Sequence, residues 1–77
     1  MHFPKNSLKI DVLINKKISV TLHNNDKLEG TLIGFDQFFN LVISNCVVIF
    51  GEKIEKNVKT ILVRGNMVSS IEQIKAN

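Results

Sequence analysis

Apolar and polar residues alternate from Ile18 to His23: Ile18, Val20 and Leu22 are separated by Ser19 and Thr21. That period of two predicts a half-buried strand. His23-Asn24-Asn25-Asp26 is a turn cluster. Lys27 to Phe35 predicts a second strand, with Leu28 and Leu32 inward and Gly30 and Gly34 interrupting it. A glycine inside a strand marks a bend or a close backbone approach. The chain turns at Phe35-Asp36-Gln37 and restarts at Phe39. Phe39 to Phe50 predicts a long third strand, with Leu41, Ile43, Val47 and Ile49 on one face and Val42, Cys46, Val48 and Phe50 on the other. Two apolar faces imply cover on both sides, at least in its second half. Gly51 to Val58 is charged and predicts a hairpin loop, Thr60 to Val63 a fourth strand, and Met67 to about Gln73 a fifth. Between these last two, Arg64-Gly65-Asn66 predicts a turn in which Gly65 takes positive φ and Asn66 tolerates it.

Upstream, Ser7 is positioned to cap a helix over about 7–14, with Ile10, Leu13 and Ile14 on one face. Leu8, Ile10, Val12 and Ile14 also alternate as a strand would, but Asp11 near the start favours the helix through its dipole. The expected fold is therefore all-β: a short N-terminal helix on a strongly bent five-stranded antiparallel barrel, one domain over 1–77. The fourth and fifth strands carry Ile61, Leu62, Val63, Met67, Val68 and Ile71. Long apolar edges invite pairing with another chain, and a repeated heterologous contact closes into a ring when the rotation allows.

Composition sharpens this. Seventy-seven residues bury a marginal core, and a single cysteine, Cys46, permits no internal disulfide. His2, His23 and Cys46 lack metal-ligand spacing. No nucleophile lies beside a base and no glycine loop would cradle phosphate. The expectation is a non-enzyme with no metal or cofactor, stabilised by association. The net charge of +3 is compatible with a polyanionic partner. Arg64 is the only arginine among ten basic residues, and its planar head suits stacking or bidentate bonding. No segment approaches a membrane-spanning length. A lone thiol and no apolar leader suggest the cytosol or nucleus.

Phe38 and Asn40 lie where a turn hands over to a strand. One offers an aromatic face, the other an amide that both donates and accepts. With three phenylalanines between 35 and 39, Phe35 and Phe39 are expected inside and Phe38 outside. Asn40 is also open to a reading as a turn former, and Arg64 to one as a surface ion pair with Asp36 or Glu72. Cys46 reads as a small buried hydrophobe.

These features resemble the Sm and Sm-like (LSm) family. The first signature is Gly30…Gly34-Phe35-Asp36-x-Phe38-x-Asn40 followed by Leu41-Val42-Ile43; the second is Ile61-Leu62-Val63-Arg64-Gly65-Asn66. Lys16-Lys17-Ile18-Ser19-Val20 and Cys46-Val47 point to the family's G branch. The sequence departs from the family pattern at Asn24-Asn25-Asp26, where glycines are common, and at Ser44-Asn45, where acids are frequent. The resemblance implies a first Sm motif over about 18–50, a variable loop over 51–58 and a second motif over about 59–74. It implies a heptameric ring with other Sm or LSm subunits, joined fourth strand to fifth. It implies single-stranded uridine-rich RNA as partner: Phe38 stacks on a base, Asn40 bonds its edge, and Arg64 covers its other face. Gly65 lets the backbone approach, Asn66 completes that turn, and Asp36 holds Asn40. The implied role is a small nuclear ribonucleoprotein core in splicing, in the nucleus with a cytoplasmic assembly phase. The alternatives are an LSm ring in messenger RNA decay or U6 RNA binding, and a structural subunit with an unused base slot.

Overall fold

The computed structural model describes residues 10–75. Ser7 and the expected start of the helix lie outside them. The described part of that helix is a 3-10 turn over Ile10–Leu13, not an α-helix. Ile10 and Leu13 are buried under it. Asn15 ends it with a φ of 64°, the left-handed conformation in which asparagine often terminates a helix. The Asn15 N–H then donates to the Leu32 carbonyl at 2.7 Å, which ties the helix to the sheet.

Five strands follow: β1 (Lys17–Leu22), β2 (Lys27–Phe35), β3 (Leu41–Phe50), β4 (Lys53–Val63) and β5 (Val68–Gln73). They form one antiparallel sheet in the order β4-β3-β2-β1-β5. The sheet curls around a core that includes Ile18, Val20, Leu28, Leu32, Leu41, Ile43, Cys46, Val48, Val63, Val68 and Ile71. β4 and β5 are the two edges.

Two differences from the expected elements have clear causes. The charged segment 51–58 is not a loop. β3 turns directly into β4 through Gly51-Glu52, with Phe50 opposite Lys53. Gly51 has a φ of 64°, which a two-residue hairpin requires and glycine supplies. The first half of β4 escapes a reading by alternation because Lys53, Lys56 and Asn57 are exposed, while Val58 packs against the core. An edge strand there needs only its backbone paired.

The second difference lies in β3. Leu41 and Ile43 face the core as expected, but Cys46 and Val48 then join them, while Val47 and Ile49 turn outward. A β-bulge causes this. Glu29 pairs with Val47 and Thr31 with Ser44, so Gly30 faces both Asn45 and Cys46. Asn45 has a φ of 49° and absorbs the extra residue, which shifts the alternation by one.

Gly30 makes this bulge possible. A Cβ on it would lie 2.6 Å from Ile43 Cγ2, 2.8 Å from the Ser44 carbonyl oxygen and 3.1 Å from Cys46 Cα. Replacing a strand glycine by alanine ordinarily favours the strand. Here Gly30→Ala is expected to destabilise by about 1–3 kcal/mol through overpacking, seen as a lower urea midpoint. An unchanged or higher midpoint would show that the bulge tolerates a side chain. Gly34 sits beside a second bulge, between the Leu32–Ile43 and Gly34–Val42 pairs, with no comparable crowding. Together the two bulges bend the β2–β3 ribbon and aim its end at the β4–β5 turn.

Candidate nucleic-acid interface

The turn between β2 and β3 is organised by Asp36. One carboxylate oxygen, Oδ1, accepts the backbone N–H of Phe38 at 2.8 Å and that of Asn40 at 3.0 Å. The other, Oδ2, accepts Asn40 Nδ2–H at 2.9 Å. The Asp36 N–H donates to the Asn40 carbonyl at 3.2 Å, and the Phe39 N–H donates to the Asp36 carbonyl at 3.0 Å. The Asn40 amide bond holds the Asp36 pKa below its ordinary value, assisted by the backbone N–H groups and the nearby Arg64 charge.

The second turn, Arg64 followed by a 3-10 turn over Gly65–Met67, locks onto the first. Asn40 Oδ1 accepts the Gly65 N–H at 2.8 Å across 25 positions of sequence. Neither Gly65 nor Asn66 takes positive φ; the left-handed residue of the site is Phe39, with a φ of 60°. Gly65 is needed for a different reason from the one its sequence suggests. A Cβ on it would lie 2.1 Å from the Phe38 carbonyl oxygen and 3.0 Å from the Phe39 carbonyl carbon. The missing side chain lets one turn of the protein rest on the other.

This network fixes the Asn40 amide. Rotating it by half a turn would aim Nδ2–H at the Gly65 N–H and Oδ1 at the Asp36 carboxylate, both repulsive. Of the two donors and two lone pairs of a carboxamide, one donor goes to Asp36 and one lone pair to Gly65. One N–H and one lone pair remain for a ligand, in a set orientation.

Phe38 projects, with 70% of its surface exposed. Phe35 and Phe39 do not enter the core as expected; they keep 38% and 37% exposed. Phe35 lies opposite Leu41 at the end of the β2–β3 ladder, where the chain supplies no further layer. The left-handed backbone at Phe39 interrupts the alternation, so Leu41 becomes the first fully buried residue of β3. Arg64 and Asn66 are exposed beside this surface.

The six apolar residues of the edge strands divide. Val63, Val68 and Ile71 are buried in the chain's own core, and Ile61 packs against it. Leu62 and Met67 are 63% and 47% exposed. Leu62, Met67, Phe50 and Ile61 line an open groove of about 380 Å³ between the two edges, with Arg64, Asn24 and Asp26 also on its wall. Phe50 also lines this groove; alternation along the sequence places it on the Cys46 and Val48 face of the third strand and not among the edge residues.

The departures from the family pattern have a shared explanation. Asn25 and Asn45 have φ values of 73° and 49°. Asparagine is the residue best able to replace glycine in that conformation. Asn24 Oδ1 also accepts the Asp26 N–H at 3.0 Å, closing the β1–β2 turn.

Comparison with known proteins agrees with this architecture. The LSM domain family matches residues 8–73. "Probable small nuclear ribonucleoprotein G" of Medicago sativa is 40% identical over 63 residues, 80% of this chain and 75% of that protein. "LSM complex subunit LSM5" of Saccharomyces cerevisiae is 38% identical over 63 residues, 79% of this chain and 68% of that one. Among solved structures, the Pyrococcus abyssi Sm protein in complex with a uridine heptamer superposes with a TM-score of 0.81 at 28% identity, covering 84% of this chain and 92% of that one. A heptameric archaeal Sm protein superposes with a TM-score of 0.78 at 27% identity, covering 86% and 96%. The bent five-stranded sheet, the two locked turns and the match over 8–73 place this chain in the Sm/LSm family.

Proposed function

We propose that this chain is an RNA-binding subunit of a heptameric Sm ring that holds a uridine-rich single-stranded site, as part of a small nuclear ribonucleoprotein core in splicing. The observation that carries the reading is the fixed Asn40 amide, held between Asp36 and Gly65 with one donor and one acceptor to spare, next to the exposed Phe38 and Arg64. Single-stranded RNA is bound by stacking splayed bases on aromatic or guanidinium planes and bonding their edges. Phe38 and Arg64 supply the two planes and Asn40 the edge contact, with Asn66 flanking them. A donor and an acceptor in fixed order match the uracil O4 and N3–H. Cytosine presents the reverse order at the same positions, so a fixed amide selects between them. The relative solved with a uridine heptamer supports this chemistry.

The ring reading rests on the two unpaired sheet edges, β4 and β5. In it, β4 of one subunit pairs with β5 of the next and covers Leu62 and Met67, while Ile61, Val63, Val68 and Ile71 back the joint from inside. β4 carries Lys53, Lys56 and Lys59 against one acid, Glu55, and β5 carries Glu72, so the edges are also complementary in net charge. The small nuclear ribonucleoprotein relatives support a nuclear location; a cytoplasmic assembly phase belongs to the same proposal. The similarity to an LSm subunit supports a second reading, a ring of LSm type acting in messenger RNA decay or on U6 RNA. Proteins that co-purify with the chain separate the two.

The test is fluorescence anisotropy with oligouridylate and oligocytidylate on the ring isolated with its partners. Phe38→Ala and Arg64→Ala are each expected to weaken oligouridylate binding by about 1–3 kcal/mol, the worth of one stacked base. Unchanged affinity in both variants would rule the site out.

A further inference from the structure

We propose that Asp26 recognises one particular neighbour in the ring, by pairing its carboxylate with a lysine or arginine that the neighbour brings to the joint; this rests on the ring reading above. Asp26 and Asn24 stand on the wall of the groove between the β4 and β5 edges, beside Leu22, Leu28, Phe50 and Met67. That groove is otherwise mostly apolar, and it opens beside the two edges to which other subunits attach.

The Asp26 carboxylate is held on this wall. The Asp26 N–H donates to Asn24 Oδ1 at 3.0 Å, and Asp26 Oδ2 accepts Asn24 Nδ2–H at 3.0 Å. The Asp26 carbonyl accepts the Leu22 N–H at 2.8 Å, and Asn25, with a φ of 73°, closes the turn. Among the described residues no donor reaches Asp26 Oδ1 and no cation pairs with the carboxylate. Arg64 shares the wall, but its charge acts on Asp36. Covering the groove takes water from a half-buried carboxylate, and an anion enclosed without a partner opposes assembly. A cation from the neighbour is the matching chemistry. Every joint of such a ring repeats the same strand pairing, so backbone bonds do not tell one subunit from another. Apolar walls discriminate weakly, whereas a fixed charge rejects a neighbour that offers an acid or nothing.

The experiment co-expresses the parental chain and one variant, equally abundant, with the ring partners. Native mass spectrometry then reads which of the two enters the ring. Asp26→Lys is expected to be under-represented by about tenfold or more, and Asp26→Asn, which keeps an acceptor for Asn24 Nδ2 but loses the charge, by about threefold or more. Asn24→Ala loosens the turn and keeps the charge; it should enter within about twofold of the parental chain. Carbodiimide labelling of the assembled ring should spare Asp26 and modify Glu52, which is exposed on the β3–β4 hairpin. Parental entry of both Asp26 variants, or labelling of Asp26 as fast as Glu52, would overturn the proposal. So would a deficit in Asn24→Ala equal to that of Asp26→Asn, since the shape of the turn and not its charge would then matter. If the parental chain forms no ring with its partners, the ring reading itself falls; if parental rings form and the Asp26 variants join them equally, only the recognition falls.

Discussion

Gly65→Ala is expected to separate the two turns and to abolish tight RNA binding. The new methyl would sit 2.1 Å from the Phe38 carbonyl oxygen and 3.0 Å from the Phe39 carbonyl carbon. Both obstacles are backbone, so no rotamer change relieves them and the turns must move apart. That movement breaks the 2.8 Å bond from the Gly65 N–H to Asn40 Oδ1 and leaves a buried donor unpaired. Overpacking and the lost bond together cost about 3 kcal/mol or more, a large fraction of the roughly 4–12 kcal/mol expected for a domain of this length. The urea midpoint should fall clearly, and the affinity of the surviving folded ring for oligouridylate should drop by at least about tenfold, the equivalent of one hydrogen bond. Gly34→Ala is the control: its nearest non-neighbour atom would be Val42 Cβ at 3.9 Å, an ordinary contact. Equal behaviour of the two variants would remove Gly65 as the joint.

Asp36→Ala is expected to leave a folded ring that binds oligouridylate more weakly and distinguishes uridine from cytidine less sharply. It deletes the acceptor of three hydrogen bonds, two from backbone N–H groups and one from Asn40 Nδ2. Water can replace the backbone bonds, because the turn is exposed. The Asn40 amide then keeps only its bond to Gly65 and can swing about it, so its spare donor is no longer aimed, although the Gly65 N–H still selects Oδ1. The loss should appear as about tenfold weaker oligouridylate binding, with oligocytidylate little changed.

A pH series tests the same bond. The folded Asp36 pKa is depressed below 3.8, first by the Asn40 amide. Its contribution is therefore complete above the ordinary carboxylate value and disappears as the pH falls through the lowered one. Oligouridylate binding should be flat from pH 7 to 5 with respect to this group and should fail only at more acid pH. Asp36→Asn should remove that acid limb. An identical limb in the variant would assign the acid loss to another group.

Much of this was legible in the residues. Ile18 and Val20, and Leu28 and Leu32 on either side of Gly30, keep the period of two, and each is buried where that period places it. The two turns were visible as breaks in that period, and Phe38 as the phenylalanine that projects. The β3 faces were not legible past Ile43, because a single inserted residue at Asn45 reverses every later side chain. The start of β4 was hidden because its charged and polar positions, with Lys53, Lys56 and Asn57 exposed, show no apolar alternation.

What the sequence determined by itself was local. Period two places strands, asparagine and glycine permit left-handed turns, and the two signatures identify the family. The tertiary structure decided what depends on distant atoms meeting. Gly30 acquires its bulge only because Ile43 and Cys46 lie against it. Asn40 becomes a fixed, half-satisfied amide only because Gly65, 25 positions away, donates to it. No period along the chain encodes a hydrogen bond between two turns; it exists because the sheet bends far enough to bring them together.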